Sequence, residues 1–198
     1  MDTRNHNLSC SPNAFQRWDL PSFTYSIHAV RPILAGEQIF ISYLDPFEPC
    51  RIRQKDLLRK YSFKCTCPSC SLSPAESAKS DRIRYILRQK RDPTDERDLL
   101  AWATNPLLPD DHIIKPSLSA VEMMNQEGIY VDVWDYHYQR LCKAYCALAN
   151  EPEAMRWAKK AAALTVACTG NDGGWANVVA SVRNTNWWGL RAKAAGGL

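Results

Sequence analysis

The fold of this chain depends most on the stretch Phe63-Lys64-Cys65-Thr66-Cys67-Pro68-Ser69-Cys70, which places three thiols within six residues. A C-x-C-x-x-C run is too tight for three disulfide partners, but its thiols suit one metal ion. Zinc prefers four tetrahedral ligands, and thiolates are common donors in its structural sites. Spacing this dense is rare in an ordinary core, so the stretch predicts a structural zinc site. The other interpretation is that these are free, buried thiols acting as small apolar residues.

Three local thiols leave one zinc ligand to be found elsewhere in the chain. Our candidate is Cys10, in the segment Ser9-Cys10-Ser11-Pro12-Asn13. The expected ligand set is therefore Cys10, Cys65, Cys67 and Cys70. One ion bound in this way would link the start of the chain to its middle.

Composition places limits on the class of protein. The chain has 198 residues, enough for one large domain or two small ones. Its eight cysteines follow no apolar leader, which argues against secretion and favours the cytoplasm or the nucleus, where thiols stay reduced. No stretch approaches the roughly 20 apolar residues of a membrane span. The net charge of +4 permits an acidic partner without demanding one.

The first third of the chain carries the only strand patterns. Residues 1–21 are rich in turn-forming types and are expected to be loop. Residues 22–31 alternate in period two, with Phe23, Tyr25 and Ile27 on one face, and residues 37–43 alternate in the same way. The sequence therefore predicts two strands here, joined by a turn at residues 32–36.

Helical patterns fill the rest. A helix over residues 51–61 carries several basic side chains, including Arg53, which we expect to form a solvated face rather than a nucleic-acid site. Ser73-Pro74-Ala75-Glu76 is a capping box that opens the next helix. The last two long helices form an aromatic- and alanine-rich pair that is similar to a tetratricopeptide-type hairpin. The further expected helices cover residues 74–91, 95–103 (capped by Thr94), 119–128, 132–149, 153–168 and 175–184.

Four features in order resemble the C-terminal part of a SET-domain protein lysine methyltransferase of the SET–MYND branch. The first is Asn7-Leu8-Ser9-Cys10-Ser11-Pro12-Asn13, and the second is Ala35-Gly36-Glu37-Gln38-Ile39-Phe40-Ile41-Ser42-Tyr43. The third is the helix exit Arg53…Leu57…Tyr61-Ser62-Phe63, and the fourth is the post-SET C-x-C-x-x-C. Each feature alone is weak or moderate, but together they cover about a third of the chain in the order of the family.

The resemblance implies a fold and a division of the chain. We expect an α+β protein with a small partial SET β-region at residues 1–49 and a post-SET zinc segment with four cysteines at 50–72. A mostly α-helical, tetratricopeptide-like region should follow at 73–198. The zinc should be structural, since methyl transfer needs no metal chemistry.

The resemblance also implies an activity, which is methyl transfer from S-adenosylmethionine to a lysine side chain of a histone or another protein. Tyr43 is the implied catalytic residue and also an implied cofactor contact, since its hydroxyl would orient both the lysine amine and the methyl group. Phe63 would pack near the adenine of the cofactor. The family carries an Asn-His pair before its Ser-Cys-x-Pro-Asn motif. In the gap-free register, in which the two sequences are aligned without an insertion, Asn7 and Leu8 fall on this pair and would contact the cofactor. In the alternative register, with a two-residue insertion, Asn5 and His6 would take their place.

The sequence departs from the family in its front half. No two glycines are separated by a single residue, so the Gly-x-Gly turn of the family's cofactor site is missing, and the MYND zinc module is missing too. We therefore expect a truncated catalytic domain with unpaired strand edges and weak or no catalysis by this chain alone. The alternative function is a non-catalytic, zinc-stabilised module whose helical tail binds a protein partner.

Overall fold

The computed structural model describes residues 7–89, 95–130 and 134–196. Their contacts divide them into two compact units. The first unit contains the described residues up to 89 together with 123–130, and the second contains 95–122 and 134–196. The expected α+β class is confirmed, since a small two-stranded sheet lies in the first unit and helices make up most of the remainder.

The sheet is an antiparallel hairpin of β1 (Ala14–Asp19) and β2 (Thr24–Ala29). Its register runs from the pair Ala14 and Ala29 to the pair Asp19 and Thr24. The prediction for β2 holds, but the loop predicted over residues 1–21 is wrong at 14–19. Turn-forming residues on both sides hide this short strand in the sequence, and it is its pairing with β2 that makes it a strand.

The second predicted strand, over residues 37–43, is also wrong. Among the described residues, the sheet-type pairing of this segment is limited to an isolated parallel bridge between Leu8 and Ile41, with Ser9 N donating to Ile41 O at 3.1 Å. Further along, the backbone N–H groups of Asn13 and Ala14 both donate to the Phe40 carbonyl. Because its hydrogen bonds go to scattered points rather than to one neighbouring strand, the segment is not part of a sheet ladder.

The predicted apolar face of β2 is solvent-exposed rather than buried. Phe23 is 75% exposed, Tyr25 is 68% exposed and Ile27 is 57% exposed. Trp18 of β1 lies against two of these rings, with centroids 4.9 Å from Phe23 and 4.6 Å from Tyr25. The alternation in sequence correctly placed these side chains on one face, but no described residue covers that face.

The first helix, α1 (Cys50–Tyr61), leads into the cysteine-rich stretch. It ends at Ser62, which has a left-handed backbone (φ 58°) and donates its N–H to Leu58 O. The buried face of α1 consists of Arg53 and Leu57. The expectation that Arg53 belongs to a solvated basic face is therefore wrong, because this side chain is 1% exposed.

The following helices agree with the sequence patterns more closely. Helix α2 (Pro74–Gln89) begins with the predicted capping box, in which Ser73 Oγ donates to Glu76 Oε2 at 2.7 Å. Helix α3 covers Asp95–Thr104, and α4 covers Ile114–Glu127. Helix α4 starts five residues earlier than predicted, because Pro116 falls in the first turn, where a missing backbone N–H costs nothing. The predicted end of α2 at residue 91 and the Thr94 cap lie outside the described residues.

The predicted helical hairpin is present as α5 (Trp134–Ala147) and α6 (Glu151–Thr169). Ala149 has a positive φ of 55° in the connection, and Asn150 caps α6 by accepting from Glu153 N at 3.3 Å. Tyr138 packs against Trp157 with ring centroids 5.5 Å apart. Alanines on the buried face of α6 allow the close approach of the two helices: Ala154, Ala158 and Ala161. The predicted start of α5 at residues 132–133 lies outside the described residues.

The end of the second unit contains a helix that the sequence did not predict. After α7 (Trp175–Ala180) and a 3-10 turn at Val182–Asn184, α8 covers Leu190–Ala194. Arg191 of α8 is buried and donates to the carbonyls of Trp102 and Asn105 at 2.7 and 3.0 Å. Of the helices that the structure describes, none combines the length and the apolar character required to cross a bilayer.

Candidate functional site

The four predicted zinc ligands lie together in the first unit. The sulfur atoms of Cys10, Cys65, Cys67 and Cys70 are all within 4.8 Å of one another. The Cys10 and Cys70 sulfurs are 3.5 Å apart, far longer than a disulfide bond, and all four cysteines are free. A tetrahedral site with Zn–S bonds of about 2.3 Å needs sulfurs about 3.8 Å apart, so this arrangement fits one zinc ion with little adjustment. Within the described parts of the chain, no other group of three or more metal-ligating side chains converges in this way.

Local backbone structure positions the three clustered thiols. A 3-10 turn at Pro68–Cys70 reverses the chain, with Cys70 N donating to Cys67 O at 2.9 Å. Gln54 of α1 holds the other end, since its side chain donates to Cys65 O at 2.7 Å and accepts from Cys65 N at 3.0 Å. The helix and the turn together fix the direction of the three side chains.

A separate network holds the Cys10 segment. Ser11 Oγ donates to the Glu127 carbonyl at 2.5 Å and lies 2.6 Å from Ser69 Oγ. Arg84 of α2 donates from Nη1 to Cys10 O at 3.1 Å, and its Nε donates to Glu127 Oε2 at 2.8 Å. Both Arg84 and Glu127 are buried. The fourth thiol is therefore held in place by an ion pair between α2 and the end of α4.

The four thiols interact through hydrogen bonds, which raise the pKa of Cys10, Cys65 and Cys70 and lower that of Cys67. Hydrogen bonding with Cys10, Cys65 and Cys70 lowers the pKa of Cys67. Hydrogen bonding with Cys65 raises the pKa of Cys10, and burial raises it further. A divalent cation supplies the positive charge that allows all four groups to lose their protons, so metal binding releases protons here.

The residues predicted to surround the cofactor pack against the same cluster. Leu8 is buried with Cys10, Leu57 and Cys65, and the half-buried Tyr43 and Phe63 pack against this group. The structure thus brings together the two ends of the predicted site, which are more than 50 residues apart in sequence. Because Tyr43 and Phe63 keep part of their rings accessible, they can offer flat apolar surface to a purine.

The structure describes only one of the two residue pairs that could match the family's Asn-His pair. In the gap-free register, Asn7 is exposed and accepts from Gln38 Nε2 at 2.9 Å and from Ile41 N at 2.9 Å. Both of these contacts use oxygen atoms of Asn7, which leaves its amide N–H groups as donors for a ligand. Leu8 points into the apolar cluster, so this position can offer a ligand only its backbone. Asn5 and His6, the alternative pair, lie outside the described residues.

Sequence reasoning missed the role of Asn13. This residue is fully buried, and its side chain donates to Glu37 Oε1 at 3.0 Å and Gln38 O at 2.8 Å and accepts from Phe40 N at 2.7 Å. It therefore holds the segment that leads to Tyr43. A buried Asn beside turn residues gives no periodic signal, and only its place in the Ser9–Asn13 motif singled it out.

Tyr61 was also missed as a site residue. Its ring lies 5.2 Å from that of Tyr43, at an angle of 45°, and Tyr61 is 43% exposed. The sequence analysis named Tyr61 only as part of the helix exit that resembles the family. A spacing signal was available, because Arg53, Leu57 and Tyr61 recur at i, i+4 and i+8 and so share one face of the helix.

A separate cleft of about 340 Å³ adjoins the zinc segment. Pro68, Ser69 and Leu72 line one side of it, and Lys79 and Gln126 are among the residues on the other. None of the predicted cofactor-binding residues lines this cleft. It is therefore not the expected cofactor site.

Comparison with known proteins agrees with the geometry. Residues 1–44 match the SET domain family. The N-lysine methyltransferase SMYD2-B of Xenopus laevis is 33% identical over 102 residues, which is 50% of this chain and 22% of that protein. The histone-lysine N-methyltransferase set5 of Schizosaccharomyces pombe is 38% identical over 78 residues, which is 39% of this chain and 24% of that protein.

A third relative carries both domain names of the SET–MYND branch. The SET domain and MYND-type zinc finger protein 6 of Schizosaccharomyces pombe is 45% identical over 64 residues, 32% of this chain and 13% of its own length. The chain thus spans less than a quarter of the length of each of these relatives. The resemblance to SET-domain lysine methyltransferases of the SET–MYND kind is confirmed for the part of the chain that the matches cover, which includes the match of residues 1–44 to the SET domain.

Proposed function

We propose that this chain supplies the C-terminal part of the active site of a SET-type protein-lysine N-methyltransferase. The observation that carries the proposal is the convergence of Leu8, Tyr43 and Phe63 on the four-cysteine cluster, in a chain whose first 44 residues match the SET domain. S-adenosylmethionine would supply the methyl group, which would pass from its sulfonium to a neutral lysine amine and leave S-adenosylhomocysteine.

The residues of this chain would bind, orient and enclose the reacting groups. The Tyr43 hydroxyl would accept a hydrogen bond from the lysine amine and hold its lone pair in line with the methyl group, which lowers the barrier by orientation. The ring of Tyr61, which packs beside Tyr43 at a tilt, would form a second wall of the lysine channel. Phe63 would cover the purine, and Asn7 would donate from its amide to the cofactor.

The zinc site contributes by fixing these residues in place. Leu8 is two residues from Cys10, and Phe63 is two residues from Cys65. One ion on the two cysteines would therefore hold both walls of the cofactor site at a fixed separation and exclude water from it. Because the cysteine ligands of the zinc must stay reduced, we also propose that the protein is located in the cytoplasm or the nucleus.

Titration calorimetry of the zinc-loaded chain with S-adenosylmethionine tests the proposal directly. We expect saturable heat that S-adenosylhomocysteine competes away, and a Phe63→Ala variant should weaken this binding. Absence of heat with zinc-loaded chain would contradict the proposal and favour the alternative, a zinc-stabilised module whose helical unit binds a protein partner.

Methyl transfer tests the role assigned to Tyr43. Radiolabelled methyl incorporation into lysine-containing peptides should be slow, and Tyr43→Phe should reduce it about 100-fold or more, as removal of a positioned polar group does. Tyr85→Phe is the matched control, since Tyr85 lies on α2 and is 62% exposed. Measurable and equal rates for wild type and Tyr43→Phe would exclude Tyr43 from the reaction.

A further inference from the structure

Arg53 is a buried cation whose hydrogen-bonding groups are only partly used. Its side chain is 1% exposed. Nη1 donates to the Glu48 carbonyl and lies 4.0 Å from Asp81 Oδ1. Nε and Nη2 are buried and have no hydrogen-bond partner of good geometry among the described residues. A buried guanidinium with unused N–H groups is costly, so an acceptor of negative charge is expected beside it.

The carboxylates near Arg53 do not meet this need. Asp81 is at the limit of an ion pair with Nη1, and its Oδ1 already accepts from Cys50 N at 2.7 Å. Glu127 is engaged with the second buried guanidinium, that of Arg84. Burial, followed by the positive charge of Arg53, lowers the pKa of Arg84. The first unit thus buries two neighbouring positive charges and, among its described residues, only one fully committed carboxylate.

The sulfur cluster is the remaining source of negative charge. Arg53 and Leu57 form the buried face of α1, and Leu57 packs with Cys10 and Cys65, while the side chain of Gln54, next to Arg53, hydrogen-bonds to the Cys65 backbone. The pKa of Arg53 is raised: burial lowers it, but the Cys10 and Cys70 sulfurs raise it more. Four thiolates around one Zn²⁺ carry a net charge of −2, and thiolate sulfur accepts hydrogen bonds from N–H donors.

We propose that Arg53 is a positioning residue for the metal centre, donating N–H···S hydrogen bonds from Nε and Nη2 to the Cys10 and Cys70 thiolates. This rests on the zinc site proposed above but not on methyltransferase activity. Arg53 offsets part of the negative charge of the cluster, which slows zinc release and makes the bound thiolates less nucleophilic. Arg84 has a different task, because it contacts the backbone carbonyl of Cys10.

The test compares zinc release from wild type, Arg53→Met and Arg53→Lys. Arg59→Met is the matched control, since Arg59 lies on the same helix with a side chain that is 67% exposed. Zinc transfer to a chromogenic chelator should be about 10–100-fold faster in Arg53→Met, the range found when an outer-shell partner of a metal ligand is removed. The release rate of Arg53→Lys should lie between those of wild type and Arg53→Met, because lysine keeps the positive charge but lacks the forked N–H groups of the guanidinium. The release rate of Arg59→Met should match that of wild type.

Two further readouts separate this role from simple packing. In the cobalt-substituted chain, the sulfur-to-cobalt charge-transfer bands should shift in both Arg53 variants while four-sulfur coordination is retained. Alkylation of the zinc-bound thiolates by iodoacetamide should be faster in the same variants. Folded variants with wild-type release rates, bands and alkylation rates would overturn the proposal.

If Arg53→Met does not fold, the test rests on Arg53→Lys. Zinc release, cobalt bands and alkylation rates of Arg53→Lys that equal those of wild type would then overturn the proposal. A wild-type chain that binds no zinc would overturn both this inference and the zinc site. Failure of the methyltransferase proposal would be seen separately, in the calorimetry with S-adenosylmethionine.

Discussion

At the scale of single residues, the site depends on buried charged side chains. Arg84 and Glu127 form a buried ion pair at 2.8 Å, and Ser80 Oγ donates to the same carboxylate oxygen at 2.6 Å. They lie 43 residues apart, and neither has a local signal, because burial of a charge is decided by tertiary partners. Arg53 differs, since its i, i+4 relation to the apolar Leu57 is a local signal that puts both side chains on one face of α1.

The first prediction concerns the buried pair. Glu127→Gln should lower the free energy of unfolding by about 3–5 kcal/mol, because it leaves the Arg84 guanidinium buried without a counter-ion. Urea unfolding of the zinc-loaded chain, followed by circular dichroism, measures this loss.

The exposed pair of Arg88 and Glu48 supplies the control for that measurement. Its atoms are 2.5 Å apart, but the Arg88 side chain is 44% exposed. Glu48→Gln should therefore cost at most about 1 kcal/mol. Similar losses in the two variants would show that the Arg84–Glu127 pair does not hold the Cys10 segment.

At the scale of elements, the helices could be predicted and the strands only in part. The helix pair α5 and α6 has a local signal, since its buried residues recur at helical spacing and Asn150 caps the second helix. Strand β1 and the segment 37–43 depend on partners distant in sequence, and alternation alone cannot say whether a partner exists. Helix α8 was missed because five residues are too few to show a period.

The segment leading to Tyr43 is ordered by a carboxylate rather than by a sheet. Glu37 accepts from Arg31 Nη2 at 2.5 Å, from Leu34 N at 3.1 Å and from Asn13 Nδ2 at 3.0 Å. The hydrogen bond from Arg31, followed by those from Leu34 and Asn13, lowers the pKa of Glu37 to about 2.

This arrangement predicts a pH dependence with a defined sign. The pKa of Glu37 is lower in the folded chain than its ordinary value of 4.5. The stabilisation by Glu37 is therefore complete above pH 4.5 and is lost as the pH falls from there toward 2. Carbon-13 NMR of the Glu37 carboxyl should give a midpoint near pH 2 in wild type and a higher midpoint in Arg31→Met. Arg51→Met, an exposed change on α1, is the control, and equal midpoints in wild type and Arg31→Met would refute this explanation.

At the scale of the whole molecule, the metal cluster was the most predictable feature. The C-x-C-x-x-C spacing predicted three of the four thiols that converge in the structure, and Cys10 within its motif was the predicted fourth. The helical unit carries no comparable signal for a binding site, since helical periodicity predicts its helices but not which of their residues would contact a substrate. The exposed apolar face of the β1–β2 hairpin was likewise not predictable, because alternation shows that a face exists but not what covers it.

The central claim is that one zinc ion joins the amino-terminal segment to the cysteine-rich stretch through Cys10. The most direct measurement is the zinc content of the purified chain, by inductively coupled plasma mass spectrometry, in wild type, Cys10→Ala and Cys50→Ala. Cys50 is the control because it is a free, half-buried cysteine outside the cluster. We predict one zinc per chain in wild type and Cys50→Ala and loss of most of it in Cys10→Ala, whereas full zinc occupancy in Cys10→Ala would contradict the account.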